Sequence, residues 1–391
     1  MERRANARRS SPASAVASAG ALLVACSLLL TACGSSGEGG SPPASCDASQ
    51  TAAIETAFAD GAIPSDVGAV AVVKDAACGS RYFTRGASAD LPETALHLVG
   101  SVTKTYIASL VLLLVDDGAL SLSDPVARWI PDVPGGAAVE VQHLLRHTSG
   151  IYNYTSDATY LVDSLSHRSY TPRELLDIAF AHEPSFAPGE PGKWEYSNTN
   201  YVLLGRIVES VTGRDVASVL RERILTKVGA RATFFHGSEP LDGEVAYGES
   251  FLGTNGATFL DPSASWCAGN LVSTIGDLVD WTEARGSGSF HSAAMQAEMT
   301  RGVATGLGFT YGAALVILDE TMLGGHGPAI GHGGDTVGYH SLAYYFPEQQ
   351  ATIAVIVDSD KGPTSGFPTG ATYLGDLYGT VVSAYFAATA E

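Results

Sequence analysis

The sequence is poor in positive charge. Its 391 residues contain 22 lysines and arginines against 41 acidic residues, and only five of the basic residues are lysines. Without residues 1–32, 18 basic residues remain against 40 acidic ones, and no basic cluster is left. A surface of this kind repels phosphate backbones, so we expect no nucleic-acid partner.

Long apolar runs are also scarce. The run at residues 15–30 is too short and too rich in alanine and serine for a membrane span. It leads into Leu-Thr-Ala-Cys at residues 30–33, which resembles the lipobox of bacterial lipoprotein signal peptides. We therefore expect residues 1–32 to be a lipoprotein signal peptide, with Cys33 as the lipidated residue. Residues 33–46, rich in Gly, Ser and Pro, are predicted to be a flexible tether.

The expected location is the outer face of the bacterial cytoplasmic membrane, reached through the lipid anchor. A plain secretory peptide, which would release the protein, is the alternative.

Cysteine is rare, and outside the predicted signal peptide and anchor only Cys46, Cys78 and Cys267 remain. An exported chain permits a disulfide. A helix predicted at 52–59 and a strand at 67–73 that runs back along it return Cys78 to the neighbourhood of Cys46. We therefore favour a Cys46–Cys78 bridge, which leaves Cys267 as a buried free thiol with no metal-ligand spacing around it.

The apolar patterns divide the chain into β-rich ends and a helical middle. Period-two patterns predict strands at 67–73, 81–85, 306–318, 330–337, 340–346 and 351–357. From about 101 to 285 the period is helical, and 374–387 forms a closing amphipathic helix.

This division predicts an α+β fold for a domain at 47–391. Its α/β lobe, about 47–95 and 300–391, has one antiparallel sheet covered by terminal helices. An inserted all-helical lobe, about 100–295, lies beside it. The seam between the lobes is the expected place for a site.

Only one Ser-x-x-Lys occurs in the chain, Ser101 to Lys104. Residues three apart on a helix lie about 60° apart around its axis, so both side chains face one cleft. Gly100 suits a sharp entry into that helix, whose first turn offers unpaired N–H groups. An isolated match of this kind is typical of an exposed helix surface. Lys104, however, opens the most apolar helix of the chain, where a buried amine without a role is costly.

Two further elements follow along the chain. Tyr196-Ser-Asn198 lies in a turn that leads into a helix, where a phenol can be held rigidly. His332-Gly333-Gly334 combines strand character with small residues, so a substrate backbone could lie against it. A phosphate-cradling loop is the rival interpretation, but no lysine follows and the strand-to-helix setting is missing.

In this order the three elements resemble those of the serine β-lactamase/penicillin-binding superfamily. The similar branch contains class C β-lactamases, D-alanyl-D-alanine carboxypeptidases, D-aminopeptidases and related esterases. Segments 145–151, 196–205 and 268–274 also match signature segments of that family, and the resemblance covers roughly 50–390. It implies the β-lactamase/transpeptidase-like fold.

The resemblance also implies roles. Ser101 would be the acylated nucleophile and Lys104 its base partner, while Tyr196 would relay the proton to the leaving group. Asn198 would hold the substrate amide. No metal and no cofactor is implied.

The third element would supply the strand edge of the site. His332, with Gly333 and Gly334, would occupy the position of the Lys-Thr-Gly motif. The backbone N–H groups of Ser101 and Asp335 would form the oxyanion hole.

Two departures from the family pattern bear on the substrate. His332 replaces the lysine of Lys-Thr-Gly, which argues against an efficient β-lactamase. No lysine or arginine lies between positions 301 and 361, and the region carries Asp319, Glu320 and Asp335 instead. Recognition of a substrate carboxylate is therefore in doubt.

We predict a monomeric serine hydrolase that forms an acyl-enzyme on Ser101 and acts as a D-alanyl-D-alanine carboxypeptidase or a D-amino-acid peptidase. Its partner would be a small peptide or ester, including cell-wall peptides. An esterase of small esters or amides is one alternative. The other is a non-catalytic penicillin-binding-like scaffold, against which the intact Ser101, Lys104 and Tyr196 argue.

Other residues have milder interpretations. His143 and His147, four apart on a predicted helix, could be a zinc pair, but without a third ligand a structural helix end is favoured. Tyr152, Tyr154 and Tyr160 could line a pocket rim, and surface tyrosines are the simpler interpretation.

Overall fold

The computed structural model describes residues 46–61, 63–360 and 370–387, with side chains of the last helix from residue 374. The predicted signal peptide, Cys33 and all of the predicted tether except Cys46 lie outside these residues. Among the described helices, none is both long and apolar enough to cross a membrane.

The helices run in chain order through the whole described region. They are α1 Ala48–Ala59, α2 Thr103–Asp116, α3 Val141–Leu145, α4 Ala158–Ser164, α5 Pro172–Phe180, α6 Thr199–Thr212, α7 Val216–Leu220, α8 Thr226–Val228, α9 Ile275–Gly286, α10 Ala293–Thr300 and α11 Gly370–Ala387.

The strands lie mainly towards the two ends. They are β1 Ala69–Asp75, β2 Gly79–Arg85, β3 His97–Leu98, β4 Thr233–Phe235, β5 Leu271–Ser273, β6 Val303–Ala304, β7 Thr310–Tyr311, β8 Val316–Leu318, β9 Ala329–Thr336, β10 Tyr339–Phe346 and β11 Ala351–Val357.

One antiparallel sheet combines both ends of the described chain, in the order β2-β1-β11-β10-β9-β8-β7-β6. The amino-terminal hairpin joins the last strand through pairs such as Ala69 with Val357. Every residue of β11 is buried, because this strand is covered on both faces, and it therefore reads as a continuous apolar run. The predicted α+β class and its sheet are confirmed.

The hairpin β1–β2 is joined to the start of the domain by a disulfide. Cys46, just before α1, is bonded to Cys78 in the hairpin turn, the pair that the sequence favours. The Asp75 carboxylate accepts hydrogen bonds from the N–H groups of Ala77 and Cys78 and so shapes that turn. Closing a loop of this length stabilises the fold by about 3–4 kcal/mol through the entropy of the unfolded chain. Cys267 is a buried free thiol.

Helices cover both faces of the large sheet. Helices α1 and α11 pack together on one face, where Phe58 and Leu377 enter a shared apolar cluster with β11. Helix α9, which lies within the segment assigned to the helical lobe, packs on the opposite face. Gly286 at its end lies so close to Tyr345 of β10 that an added Cβ would come within 2.6 Å of the tyrosine Cβ.

The middle of the chain contains strands that the sequence patterns do not show. β3, β5 and β4 form a separate three-stranded antiparallel sheet. Each has only two or three residues, too few for a period of two to be visible. Similarly, the single strand expected at 306–318 is replaced by two short strands, β7 and β8. Gly306 and Gly308 have positive φ angles before β7, and Ala314 has one between the two strands.

Candidate active site

Ser101 lies in a single 3-10 turn, Gly100–Val102, that leads directly into α2. Gly100 has a φ of +50°, and a Cβ there would lie 2.8 Å from the backbone nitrogen of Asp335. Gly334 is equally constrained, because its Cβ would lie 2.0 Å from the carbonyl oxygen of Val99. The two glycines therefore let strand β9 lie directly against the turn that carries the serine.

Lys104 is fully buried one turn further along α2. Its Nζ lies 2.8 Å from Ser101 Oγ and donates a hydrogen bond of 2.6 Å to the carbonyl oxygen of Ala268. Burial holds the pKa of Lys104 well below its ordinary value, and the charge of Asp335 offsets this only in part. A neutral amine with a free lone pair beside a serine hydroxyl is suited to act as a base.

Tyr196, in the segment just before α6, completes the group. The Nζ of Lys104 lies 4.9 Å from the centroid of the Tyr196 ring. Burial raises the pKa of Tyr196 above its ordinary value, while a hydrogen bond with Ser101 opposes that shift. The phenol is therefore held in its neutral form, with a proton to donate, next to both other groups.

His147 supports the Tyr196 ring, and the sequence did not indicate this role. The two ring centroids are 4.3 Å apart. His147 Nδ1 accepts hydrogen bonds of 3.1 Å from the Ser197 N–H and from the Asn200 amide, so the neutral ring carries its proton on Nε2. Burial and the nearby Lys104 hold its pKa well below the ordinary value.

The expectation that His143 and His147 share a helix is wrong. Helix α3 ends at Leu145, and His147 has a left-handed φ of 57° beyond it. His143 Nδ1 instead accepts a hydrogen bond from the Glu140 N–H as part of a capping box. No group of three potential metal ligands occurs among the residues that the structure describes.

His332 lies on β9 and is buried. Its Nδ1 donates to the carbonyl oxygen of Gly333, so its Nε2 accepts the hydrogen bond of 2.8 Å from the Tyr311 hydroxyl. Burial lowers the pKa of His332 to about 3. The third element of the site therefore presents a neutral imidazole near neutral pH.

A cleft of about 490 Å³ opens beside Ser101. Its described lining combines the following residues: Ser101, Tyr154, Thr155, Tyr160, Leu161, Ser164, Leu165, Asn198, Phe251, Leu260, Ser265, Ala268, Gly269, Asp335, Thr336, Val337, His340 and Asp360. The Asn198 amide donates 3.0 Å to the Thr155 hydroxyl, which orients it at the cleft wall. No lysine or arginine is among these lining residues.

Two arginines that could have supplied a positive charge to the cleft are directed away from it. Arg285 is buried and donates to the carbonyl oxygens of Ala313 and Ala314. Arg301 forms an ion pair of 2.8 Å with Glu298. Neither lines the cleft.

The interpretation of Tyr154 and Tyr160 as surface tyrosines is wrong. Both are buried, and both hydroxyls donate 2.9 Å hydrogen bonds to the carbonyl oxygen of Ala264. Their rings form part of the cleft wall. Tyr152 stacks on His182 instead.

An antiparallel sheet with a Ser-Lys-Tyr group at the head of an apolar helix defines the β-lactamase/transpeptidase-like class of active-site serine proteins. The family model for Beta-lactamase matches residues 52–373, and the chain belongs to that family.

Three relatives illustrate the range of the family. A D-stereospecific amidohydrolase from Streptomyces sp. is 32% identical, with a TM-score of 0.68, and the match covers 80% of this chain and 94% of that one. The D-amino acid amidase from Ochrobactrum anthropi SV3, complexed with L-phenylalanine, is 26% identical over 87% and 99%, with a TM-score of 0.76. Esterase EstB of Burkholderia gladioli is 33% identical over 44% of this chain and 48% of its own length. The chain spans about half the length of several curated relatives that it matches.

Proposed function

We propose that this protein is a serine hydrolase that forms an acyl-enzyme on Ser101 and acts on D-amino-acid amides or peptides. The observation that carries the proposal is the fully buried amine of Lys104, 2.8 Å from Ser101 Oγ and in contact with the Tyr196 ring. Burying an amine in an apolar helix costs stability, and a role in catalysis explains why the amine is there.

The first step is attack by Ser101 Oγ on the substrate carbonyl carbon. Neutral Lys104 accepts the hydroxyl proton as the new C–O bond forms, and the carbonyl oxygen becomes an oxyanion. The backbone N–H groups of Ser101 and Asp335 are proposed to stabilise this oxyanion. The close approach of Gly100 to the Asp335 nitrogen supports that arrangement.

Collapse of the tetrahedral intermediate expels the amine or alcohol. Tyr196 donates a proton to the leaving group and is reprotonated from Lys104, which restores the neutral amine. Water then attacks the ester on Ser101. Tyr196 and Lys104 take up the proton of the attacking water, and Lys104 returns a proton to Ser101 Oγ as the acid is released. We propose that the Asn198 amide holds the substrate and that Gly333 and Gly334 leave space for its backbone along β9.

Two observations favour D-aminoacyl substrates over terminal-carboxylate substrates. The similar solved structures from Streptomyces and Ochrobactrum are named for D-stereospecific and D-amino acid amide hydrolysis. The cleft also lacks a lysine or arginine among its described lining, and His332 is neutral. A carboxypeptidase-like activity is therefore the weaker form of the proposal. The 33% identity with esterase EstB keeps esters of the same acyl groups as a second candidate substrate.

Mass spectrometry of the intact protein tests this proposal. After incubation with a fluorophosphonate or with a D-phenylalanine ester, we expect one adduct that maps to Ser101 and is missing in Ser101→Ala. An unmodified Ser101 together with wild-type turnover by Ser101→Ala would refute the mechanism.

We propose further that the protein is an exported, monomeric lipoprotein anchored through Cys33. The disulfide between Cys46 and Cys78 supports export, because such bonds persist in oxidising compartments. The Cys33→Ser variant should appear in the medium, whereas the parent should partition with membranes. Equal release of both would refute the anchor, and a sedimentation mass above that of one chain would refute the monomer.

A further inference from the structure

An exposed carboxylate, that of Asp335, lies in the cleft with the nucleophile. Asp335 follows Gly334 on β9, lines the same cleft as Ser101, and has a side chain that is 57% exposed. Its backbone nitrogen lies next to the turn that carries the serine. Asp335 therefore places a charged group in the same cleft as the nucleophile.

The orientation of this carboxylate is fixed from behind. His340 is the cross-strand neighbour of Asp335 on β10, and its Nδ1 lies 2.8 Å from Asp335 Oδ1. Its Nε2 lies 3.0 Å from Asp360 Oδ1. Asp360 in turn accepts hydrogen bonds from the N–H groups of Gly338 and Phe251.

His340 must carry both ring protons in this arrangement. Each of its nitrogens faces a carboxylate, and a carboxylate only accepts hydrogen bonds. The imidazolium is buried, with a side chain only 1% exposed, so it is not available to bind a substrate itself. It serves to hold Asp335 in place.

The Asp335 carboxylate remains open to the cleft on one side. His340 contacts its Oδ1, and the side chain is 57% exposed. Among the described residues, no hydrogen bond is made to its Oδ2. The described lining of the cleft holds no lysine or arginine, so a cationic group of a bound substrate can pair with this exposed side of Asp335.

We propose that Asp335 is a specificity-determining residue that binds the free α-ammonium group of the substrate. In an α-aminoacyl group the amine is attached to the carbon next to the reacting carbonyl. The Asp335 N–H can therefore contact the carbonyl oxygen while its carboxylate contacts the amine. The substrates are then D-aminoacyl amides, esters or peptides with an unblocked amino end, and N-acylated peptides are excluded. This inference rests on the proposed function.

The test compares three acyl groups on the same leaving group. D-alanine p-nitroanilide carries the ammonium, the N-acetyl derivative blocks it, and the D-lactic acid anilide replaces it with a hydroxyl of similar size. We expect wild-type kcat/KM to favour the free amine by about 100-fold or more over either analogue. A wild-type protein that hydrolyses the N-acetyl or D-lactic compound as well as the amine would overturn the inference, whether or not any variant folds.

Substitution assigns the preference to one side chain. Asp335→Asn should reduce the amine-to-hydroxyl ratio of kcat/KM at least about tenfold. Because the measure is a ratio, any general loss of rate from the oxyanion hole cancels. Asp319→Asn removes a carboxylate from the same region that caps its own turn outside the cleft, and it should leave the ratio unchanged. A ratio that is the same in Asp335→Asn and the wild type would contradict the role of Asp335.

Failure of the inference can be distinguished from failure of the proposed function. If a fluorophosphonate still labels Ser101 while the amine preference is missing, only the role of Asp335 is refuted. If Ser101 is not labelled and none of the three anilides is hydrolysed, the proposed function is refuted, and the inference with it.

Discussion

Two buried histidines on neighbouring strands of the large sheet differ in charge. Burial lowers the pKa of His332 on β9 to about 3. Burial also opposes the charge of His340 on β10, but hydrogen bonds and charges from Asp335 and Asp360 outweigh it and raise the pKa of His340 to about 9. Burial alone therefore does not decide the charge of a group at this site. The available partners decide it.

The same contrast divides the whole site into two halves. We call Lys104, Tyr196, His147 and His332 the neutral half, because desolvation keeps these groups uncharged. Asp335, His340 and Asp360 form the charged half, in which pairing keeps the imidazole protonated. The neutral half is suited to proton transfer and the charged half to binding. The predictions below test each half, from the largest expected effect to the smallest.

The largest effect should come from the amine of the neutral half. Lys104→Met keeps most of the side-chain volume but removes the base, and we expect kcat to fall about 10⁴-fold. Lys193→Met is the matched control, because Lys193 is exposed, and it should retain the wild-type rate. Steady-state hydrolysis of p-nitrophenyl acetate and of a D-aminoacyl anilide measures both variants. Near-wild-type kcat in Lys104→Met would contradict the assignment.

The second-largest effect on the rate should come from the phenol of Tyr196 in the neutral half. Tyr196→Phe retains the ring that packs on His147 but removes the proton donor, so we expect kcat to fall about 10³-fold with little change in KM. Tyr152→Phe, in a tyrosine that stacks on His182, is the control. A loss that falls mainly on KM would instead assign Tyr196 to binding.

The pairing of His340 in the charged half should make the stability of the fold depend on pH. The pKa of His340 is about 9 in the folded protein and 6.5 in a model peptide. A raised folded pKa stabilises the fold fully below about pH 6.5, and this stabilisation is lost as the pH rises through about 9. The expected contribution is on the order of 3 kcal/mol.

Thermal unfolding of the wild type and His340→Gln between pH 6 and pH 10 measures this contribution. The difference in Tm between the two proteins should be large at pH 6 and should shrink as the pH rises towards 10. A difference that is constant across this range would show that His340 is not paired as an imidazolium.

The smallest effect concerns the substrate carboxylate. No lysine or arginine is among the described residues that line the cleft, so converting the terminal carboxylate of a peptide substrate to an amide should change kcat/KM by less than about tenfold, roughly 1.4 kcal/mol. Matched pairs of free and amidated D-Ala-D-Ala peptides test this expectation. A hundredfold preference for the free carboxylate that is lost in Arg301→Ala would contradict it.

The sequence correctly predicts features that depend on local geometry. Ser101 and Lys104 are linked by one helix turn, so their spacing already predicted that they face one cleft. Likewise, a helix followed by a returning strand predicted the neighbourhood of Cys46 and Cys78. The long strands β9 to β11 were visible because their apolar patterns extend over seven or eight residues.

Features that depend on tertiary contacts cannot be predicted from the sequence patterns. His340 and Asp360 are 20 residues apart and meet only because β10 and β11 lie side by side with their ends aligned. His147 reaches Tyr196 through a left-handed turn that no periodic pattern signals. The buried hydroxyls of Tyr154 and Tyr160 donate to the carbonyl oxygen of Ala264, about a hundred residues away in the chain.

The central claim is that a neutral, buried Lys104 activates Ser101. The most direct measurement is the pH dependence of the rate at which a fluorophosphonate labels Ser101 in the wild type and in Lys104→Met. We predict that wild-type labelling rises with a midpoint well below pH 10.5, because burial lowers the pKa of Lys104, and that this rise is lost in the variant. A wild-type midpoint near 10.5, or the same profile in Lys104→Met, would contradict the claim.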